Sequence, residues 1–193
     1  NDIKNHSIVR VLVVIKENAD TLIVGSFIGV REAGVYYFSI KVIRACVAVL
    51  SQMNLVVFNK EDSVIADVTK IIFFQCVISF LATLLLIKSF DYIYPLFFNE
   101  SFNTQFIIYL SPIIVLLTLN NYISLNYFIK NDRESALIFI YTISIMIFPI
   151  FVLLEEKSVE NLSKLILISE IYILLSLIYR KNYETNTRTS FLP

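Results

Sequence analysis

Glycine, cysteine and histidine are all scarce in this chain, with three, two and one respectively among 193 residues. The lone histidine, His6, and the two cysteines, Cys46 and Cys76, form no cluster with metal-ligand spacing and no disulfide framework. Both cysteines lie inside apolar runs and read as small hydrophobes. No G-x-x-x-x-G-K-[ST] loop is present to cradle phosphates, which argues against nucleotide hydrolysis within the chain. No serine, cysteine or threonine has a recognisable base at motif spacing, so no catalytic residue, metal ligand or cofactor is assigned and the chain does not read as an enzyme. Net charge is absent too, with 16 basic and 16 acidic residues, which removes any overall bias toward nucleic acid.

What the chain has in excess is apolar surface. It is 57% hydrophobic and 17% charged, with a mean hydropathy of +0.73, whereas soluble domains carry about 45–50% apolar residues. Such a chain belongs in a bilayer. At about 20 apolar residues per crossing, six spans are expected, at residues 8–28, 35–58, 71–87, 106–128, 136–154 and 162–179. The runs are continuous and too long for strands, which excludes a β-barrel. The expected fold is an all-α polytopic membrane protein, one six-helix bundle over residues 1–193. Pro112 and Pro149, inside the fourth and fifth spans, predict kinks in packed helices. Residues 30–34, 59–69, 130–135 and 155–161 read as short connections. Residues 88–105, rich in aromatics and acids, read as a segment lying at the membrane interface. The chain opens at Asn1 with no signal-peptide pattern, in the manner of a membrane protein cut between helices. Basic residues orient it. Lys4, Arg10, Lys60, Lys70, Lys130, Arg133, Arg180, Lys181 and Arg188 fall on one side, against Arg31, Lys88, Lys157 and Lys164 on the other, so both ends are expected in the cytoplasm.

Ionisable residues inside spans single out the functional candidates, because each is costly against lipid. On the first span, Arg10, Lys16, Glu17 and Asp20 fall within about one third of the helical circumference. Lys16 and Asp20, four apart, are spaced to pair along the helix. On the second span Lys41, Arg44, Ala48, Ser51 and Gln52 share a stripe. Counted back from the corner between the two helices, Asp20 and Arg44 lie at similar depth and are expected to pair across the hairpin. Glu170 sits mid-span on the sixth helix, on a face with Ser163, as a candidate proton or cation site. Gly25 and Gly29 have the G-x-x-x-G spacing that lets helices approach, although Gly29 also suits a helix stop.

The stretch ADTLIVGSFIGVREAGVYYFSIKVI resembles the span that opens the carboxyl-terminal half of bacterial O-antigen and polysaccharide flippases. The matching positions are Asp20, Gly29, Gly34 and Tyr36. A second stretch, YIYPLFFNESFNTQFIIYLSPI, resembles the aromatic-proline element and new span that follow in that half, and KNDRES the short cytoplasmic connection after it. The paucity of glycine departs from the family's pattern. The resemblance implies membership of the multidrug, oligosaccharidyl-lipid and polysaccharide exporter superfamily, in which two six-helix bundles alternate access to a central cavity. It further implies a bacterial cell-membrane protein that moves a polyprenyl-diphosphate-linked oligosaccharide, a lipopolysaccharide or capsule precursor, to the outer leaflet, with the amino-terminal bundle as partner. On that reading Lys41, Arg44, Ser51 and Gln52 line the substrate path, whereas Lys16, Glu17, Asp20 and Glu170 serve ion coupling or structural pairing. A cation antiporter of the same superfamily and a membrane-embedded enzyme of polyprenyl-linked sugars are the alternatives.

Overall fold

The computed structural model describes residues 2–58, 65–97, 105–131, 133–154 and 156–189. Among these the regular elements are helical, with no strand. In chain order they are α1 (Asp2–Phe27), α2 (Val30–Phe58), α3 (Ile65–Phe97), α4 (Phe106–Leu110), α5 (Ile113–Ile123), a π-helical stretch (Ser124–Ile129), α6 (Glu134–Ile145), α7 (Ile147–Leu153) and α8 (Val159–Thr189). Among the described residues five stretches are long and apolar enough to cross a bilayer: Val30–Asn54, Ile72–Phe90, Phe106–Ile129, Glu134–Leu153 and Val159–Tyr183. The chain is a multi-pass helical membrane protein.

The first expected span corrects the count of six. Residues 8–27 of that span do fall in a helix, and α1, at 26 residues, is ~39 Å long by its rise. Arg10, Lys16, Glu17 and Asp20 interrupt its apolar residues, however, and α1 is not among the apolar crossings. Its place comes from packing along α2 and α6 rather than from hydropathy.

The polarity of α3 is that of a membrane helix, apolar outside and polar within. Gln75, Ser79, Thr83, Leu86 and Phe90 are buried, at the spacing of three and four that marks one helix face. Phe73, Phe74, Phe80, Leu81, Leu84 and Leu85 are exposed. A water-soluble helix would reverse this pattern. Inside, Gln75 Nε2 donates to the Leu50 carbonyl at 2.7 Å and to Asn54 Oδ1 at 2.8 Å, tying α3 to α2. Thr83 Oγ1 donates to the Ser111 carbonyl at 3.1 Å. With no water to satisfy them, these groups bond to one another.

Several boundaries move. The corner between α1 and α2 is Ile28–Gly29 rather than residues 30–34, which form the first turn of α2 with Gly34 inside the helix. Gly29 stops α1 at φ 154, a conformation that side chains disfavour, and its N–H bonds the Val24 carbonyl at 3.1 Å. A Cβ on Gly25 would meet only Ala33 Cβ at 3.9 Å, ordinary contact, so the G-x-x-x-G spacing reflects a helix stop and not a close helix crossing. Likewise α3 continues to Phe97 through Pro95, so residues 88–97 extend the third helix instead of forming a separate interfacial segment; residues 98–104 lie outside the described ones. The connection at 59–64 also lies outside them, as do the side chains of Lys60, Lys70 and Arg188 that entered the orientation argument.

The two prolines break their helices differently. Pro112 stands at the break between α4 and α5, its carbonyl accepting from Val115 N at 3.1 Å and Leu116 N at 3.4 Å. Pro149 lies inside α7, and the break falls three residues earlier at Met146, whose N–H takes a tight bond to the Ile143 carbonyl at 3.0 Å. The ring of a proline crowds the carbonyl four residues before it, here Ile145, which places the break upstream.

Two apolar clusters form the core. One joins Val24, Ile43, Ile114, Phe151 and Ile166; the other joins Val9, Phe128, Leu137, Ile173 and Leu177. α1 and α8 each contribute to both, and Lys16, Glu17 and Asp20 on α1 and Ser169 and Glu170 on α8 fall between those contributions.

Candidate functional site

Between the two clusters lies a cavity of about 330 Å3 lined by Lys16, Glu17 and Asp20 of α1, Arg44 and Ser51 of α2, and Glu170 of α8. Six of the eight residues singled out from sequence therefore meet at one place, although they come from three helices.

The Asp20 carboxylate is buried at 4% exposure and carries four hydrogen bonds. Oδ1 accepts from Thr21 N at 2.7 Å and Thr21 Oγ1 at 3.2 Å. Oδ2 accepts from the Tyr36 hydroxyl at 2.7 Å and from Arg44 Nη2 at 3.5 Å. Arg44 also donates to the Glu17 carbonyl, so its guanidinium clasps α1 at two points. The tight Ile28–Gly29 corner sets α2 back along α1 and brings Tyr36 and Arg44, two turns apart on α2, to the same carboxylate. A buried carboxylate unpaired in this way would be prohibitive.

Glu170, at 3% exposure, is held by a different set. Lys16 Nζ makes an ion pair with Oε1, and Asn120 Nδ2 donates to Oε2 at 2.9 Å. The same amide lies 3.3 Å from the Glu170 carbonyl. Lys16 also stands 6.0 Å from the centre of the Tyr141 ring, at the limit of a cation–π contact. The expected Lys16–Asp20 pair along α1 is thus replaced. Lys16 goes to α8, because Asp20 is already saturated from α2 and Glu170 would otherwise be buried without a cation.

Lys41 and Gln52 do not join the cavity. Both are exposed, and the Lys41 ammonium sits 5.0 Å over the Tyr37 ring. On the helical wheel the two lie within about 20° of each other, on the flank of the stripe away from Arg44 and Ser51. The stripe is wider than the cavity it borders, which takes Arg44, Ala48 and Ser51 from it.

Sequence reading missed Asn120, Asn121, Tyr36, Tyr141 and Ser169 as site residues. Asn121 Nδ2 donates to Ser51 Oγ at 3.2 Å, and the Tyr141 hydroxyl lies 3.3 Å from Ser124 Oγ. The paired asparagines in the run IIVLLTLNNYI carried a signal, since amides in mid-span seek partners. Tyr36 entered only as a position of the family resemblance, and Tyr141 carried no signal, being ordinary in such spans. Asn120 Oδ1 and Ser169 Oγ are buried without a hydrogen-bond partner, and both residues line the cavity. One is an acceptor and the other a hydroxyl, so the cavity wall offers bonds to a water or a donor-bearing ligand. Among the described residues no group of three or more histidine, cysteine and acidic side chains is placed to hold a metal.

Comparison of the chain with protein-family models, with curated proteins and with solved structures finds no match in any of the three.

Proposed function

We propose that this chain is one helical bundle of an alternating-access transporter in a bacterial cell membrane, moving a polyprenyl-diphosphate-linked oligosaccharide from the cytoplasmic to the outer leaflet. The observation that carries this reading is the exposed polar face of α1 and α2 beside the cavity. Glu17 and Ala48 line it and are exposed, and Arg10, Asn18, Lys41 and Gln52 are exposed on the same two helices. Ionisable groups facing lipid at mid-depth cost roughly 2.5–3.5 kcal/mol each, so this face calls for a water-filled path or a second polar-lined bundle opposite. A two-bundle transporter supplies both. The cavity, near the lower end of the about 300–1,000 Å3 typical of ligand sites, is too small to enclose an oligosaccharide, which favours a cargo held between two bundles. Arg44 and, nearer the rim, Lys41 are the cations offered to a diphosphate.

A second reading, cation antiport, is favoured by the cavity's own charge. Glu17, Asp20 and Glu170 outnumber Lys16 and Arg44 three to two, which suits a cation.

The pair Asp20–Arg44 separates structure from transport. Asp20→Asn and Arg44→Gln singly are expected to lower both abundance and the appearance of the sugar repeat at the outer leaflet. Combined, they are expected to restore abundance without restoring export. Recovery of export in the double variant would make the pair structural only. Under antiport, Glu17→Gln abolishes cargo-driven cation flux and Lys41→Gln leaves it intact; the flippase reading requires the reverse sensitivity.

A further inference from the structure

The first turns of α6 and the second half of α8 enclose a groove of about 460 Å3. Its floor and walls are Ala136, Phe139, Ile140, Tyr172 and Leu175, and Arg180 closes one end. Phe139, Leu175 and Tyr179 are exposed, so the groove opens sideways toward the bilayer. From Tyr172 to Arg180 it runs ~12 Å along α8, less than half of the ~30 Å hydrocarbon core. Its Arg180 end therefore belongs near a membrane surface and its apolar end inside.

Cations gather at that end. Lys181 follows Arg180, and its ammonium lies 5.6 Å from the Tyr127 ring. The Arg133 guanidinium lies 5.3 Å over the same ring and donates to the Tyr127 hydroxyl at 3.1 Å. The Tyr127 hydroxyl in turn donates to the Lys181 carbonyl at 3.2 Å. One tyrosine thus holds Arg133, just before α6, beside Lys181 on α8, with Arg180 on the groove. Glu134, beside Arg133, is buried and does not line the groove. Tyr179 and Tyr183 stack with centres 6.5 Å apart, aromatic residues of the type that settle at head-group level.

We propose that this groove is a binding site for a membrane phospholipid with an anionic head group, its acyl chain between α6 and α8 and its phosphate at Arg180, Lys181 and Arg133. The apolar length takes a chain and the cationic rim selects the head group. Basic side chains near a membrane surface favour anionic lipid by about fivefold each. The site is independent of the cargo proposed above, so its failure would leave the transport reading untouched.

The protein is purified in mild detergent and mixed with phosphatidylglycerol and phosphatidylcholine, and retained lipid is read by native mass spectrometry beside thermal unfolding. Phosphatidylglycerol is expected to be retained preferentially and to raise the unfolding temperature more than phosphatidylcholine. Arg180→Gln with Lys181→Gln should erase that preference, whereas Lys157→Gln, just before the first turn of α8, should leave it intact. Ala136→Trp, which fills the groove, should release both lipids. Equal retention of the two lipids by the native protein, loss of preference in the Lys157 variant, or a chain dimer in place of a lipid adduct would overturn the proposal.

Discussion

Asp20 and Glu170 are carboxylates of nearly equal burial in the same cavity, yet they are satisfied in opposite ways. Asp20 draws its partners from the hairpin that contains it, Thr21, Tyr36 and Arg44, no more than 24 residues away. Glu170 depends on Lys16, 154 residues distant, and on Asn120. The first node is redundant, because loss of one donor leaves three. The second is a single ion pair with one amide beside it. Burial alone therefore does not rank the two sites; the number and origin of their partners does.

The largest expected effect is at the second node. Lys16→Met leaves the buried Glu170 without its cation, and should cost about 3–5 kcal/mol in unfolding measured in detergent or bicelles. Adding Glu170→Gln should recover most of it. A Lys16 variant as stable as the native protein would show that the two never meet. At the first node, Tyr36→Phe removes a bond to a charged acceptor and is expected to cost about 1.5–3 kcal/mol, with Arg44→Gln no worse, since Arg44 is 24% exposed and its separation from Asp20 is long. If Tyr36→Phe exceeds Lys16→Met, the redundancy argument fails. Gln75→Leu, which breaks an amide bridge away from both carboxylates, should cost about 1 kcal/mol or less, in keeping with hydrogen bonds between membrane helices. Lys41→Gln should be smallest, within about 0.5 kcal/mol, because only its contact with Tyr37 is lost; under the flippase reading it lowers export nonetheless, and a fall in stability comparable to that of Tyr36→Phe would place Lys41 inside the bundle.

The same contrast explains what was legible. The Asp20–Arg44 contact follows from a short corner and a helical rise, two local quantities that fix relative depth on adjacent helices. Lys16 had two acids in reach of reasoning, Asp20 four residues on and Glu170 across the bundle. Local spacing points to the first, but the side chain goes to the second because Tyr36 and Arg44 already occupy Asp20. No periodicity in one helix reports how another has saturated a neighbour.

The sequence by itself determined that the chain is helical and membrane-spanning, since long unbroken apolar runs have no other stable form in lipid, and it marked Lys16, Glu17, Asp20, Arg44 and Glu170 as too costly to face lipid. Boundaries that depend on one residue type, such as the Gly29 stop, were half legible, as a stop or as a packing motif. Only the tertiary structure decided that α1 joins the bundle through its contacts with α2 and α6 despite its charges, that Asn120 caps Glu170, and that Lys41 and Gln52 fall outside the cavity. These are decisions among helices whose rotations are set by packing. Hydropathy measures what a residue avoids; it does not name the neighbour that replaces the lipid.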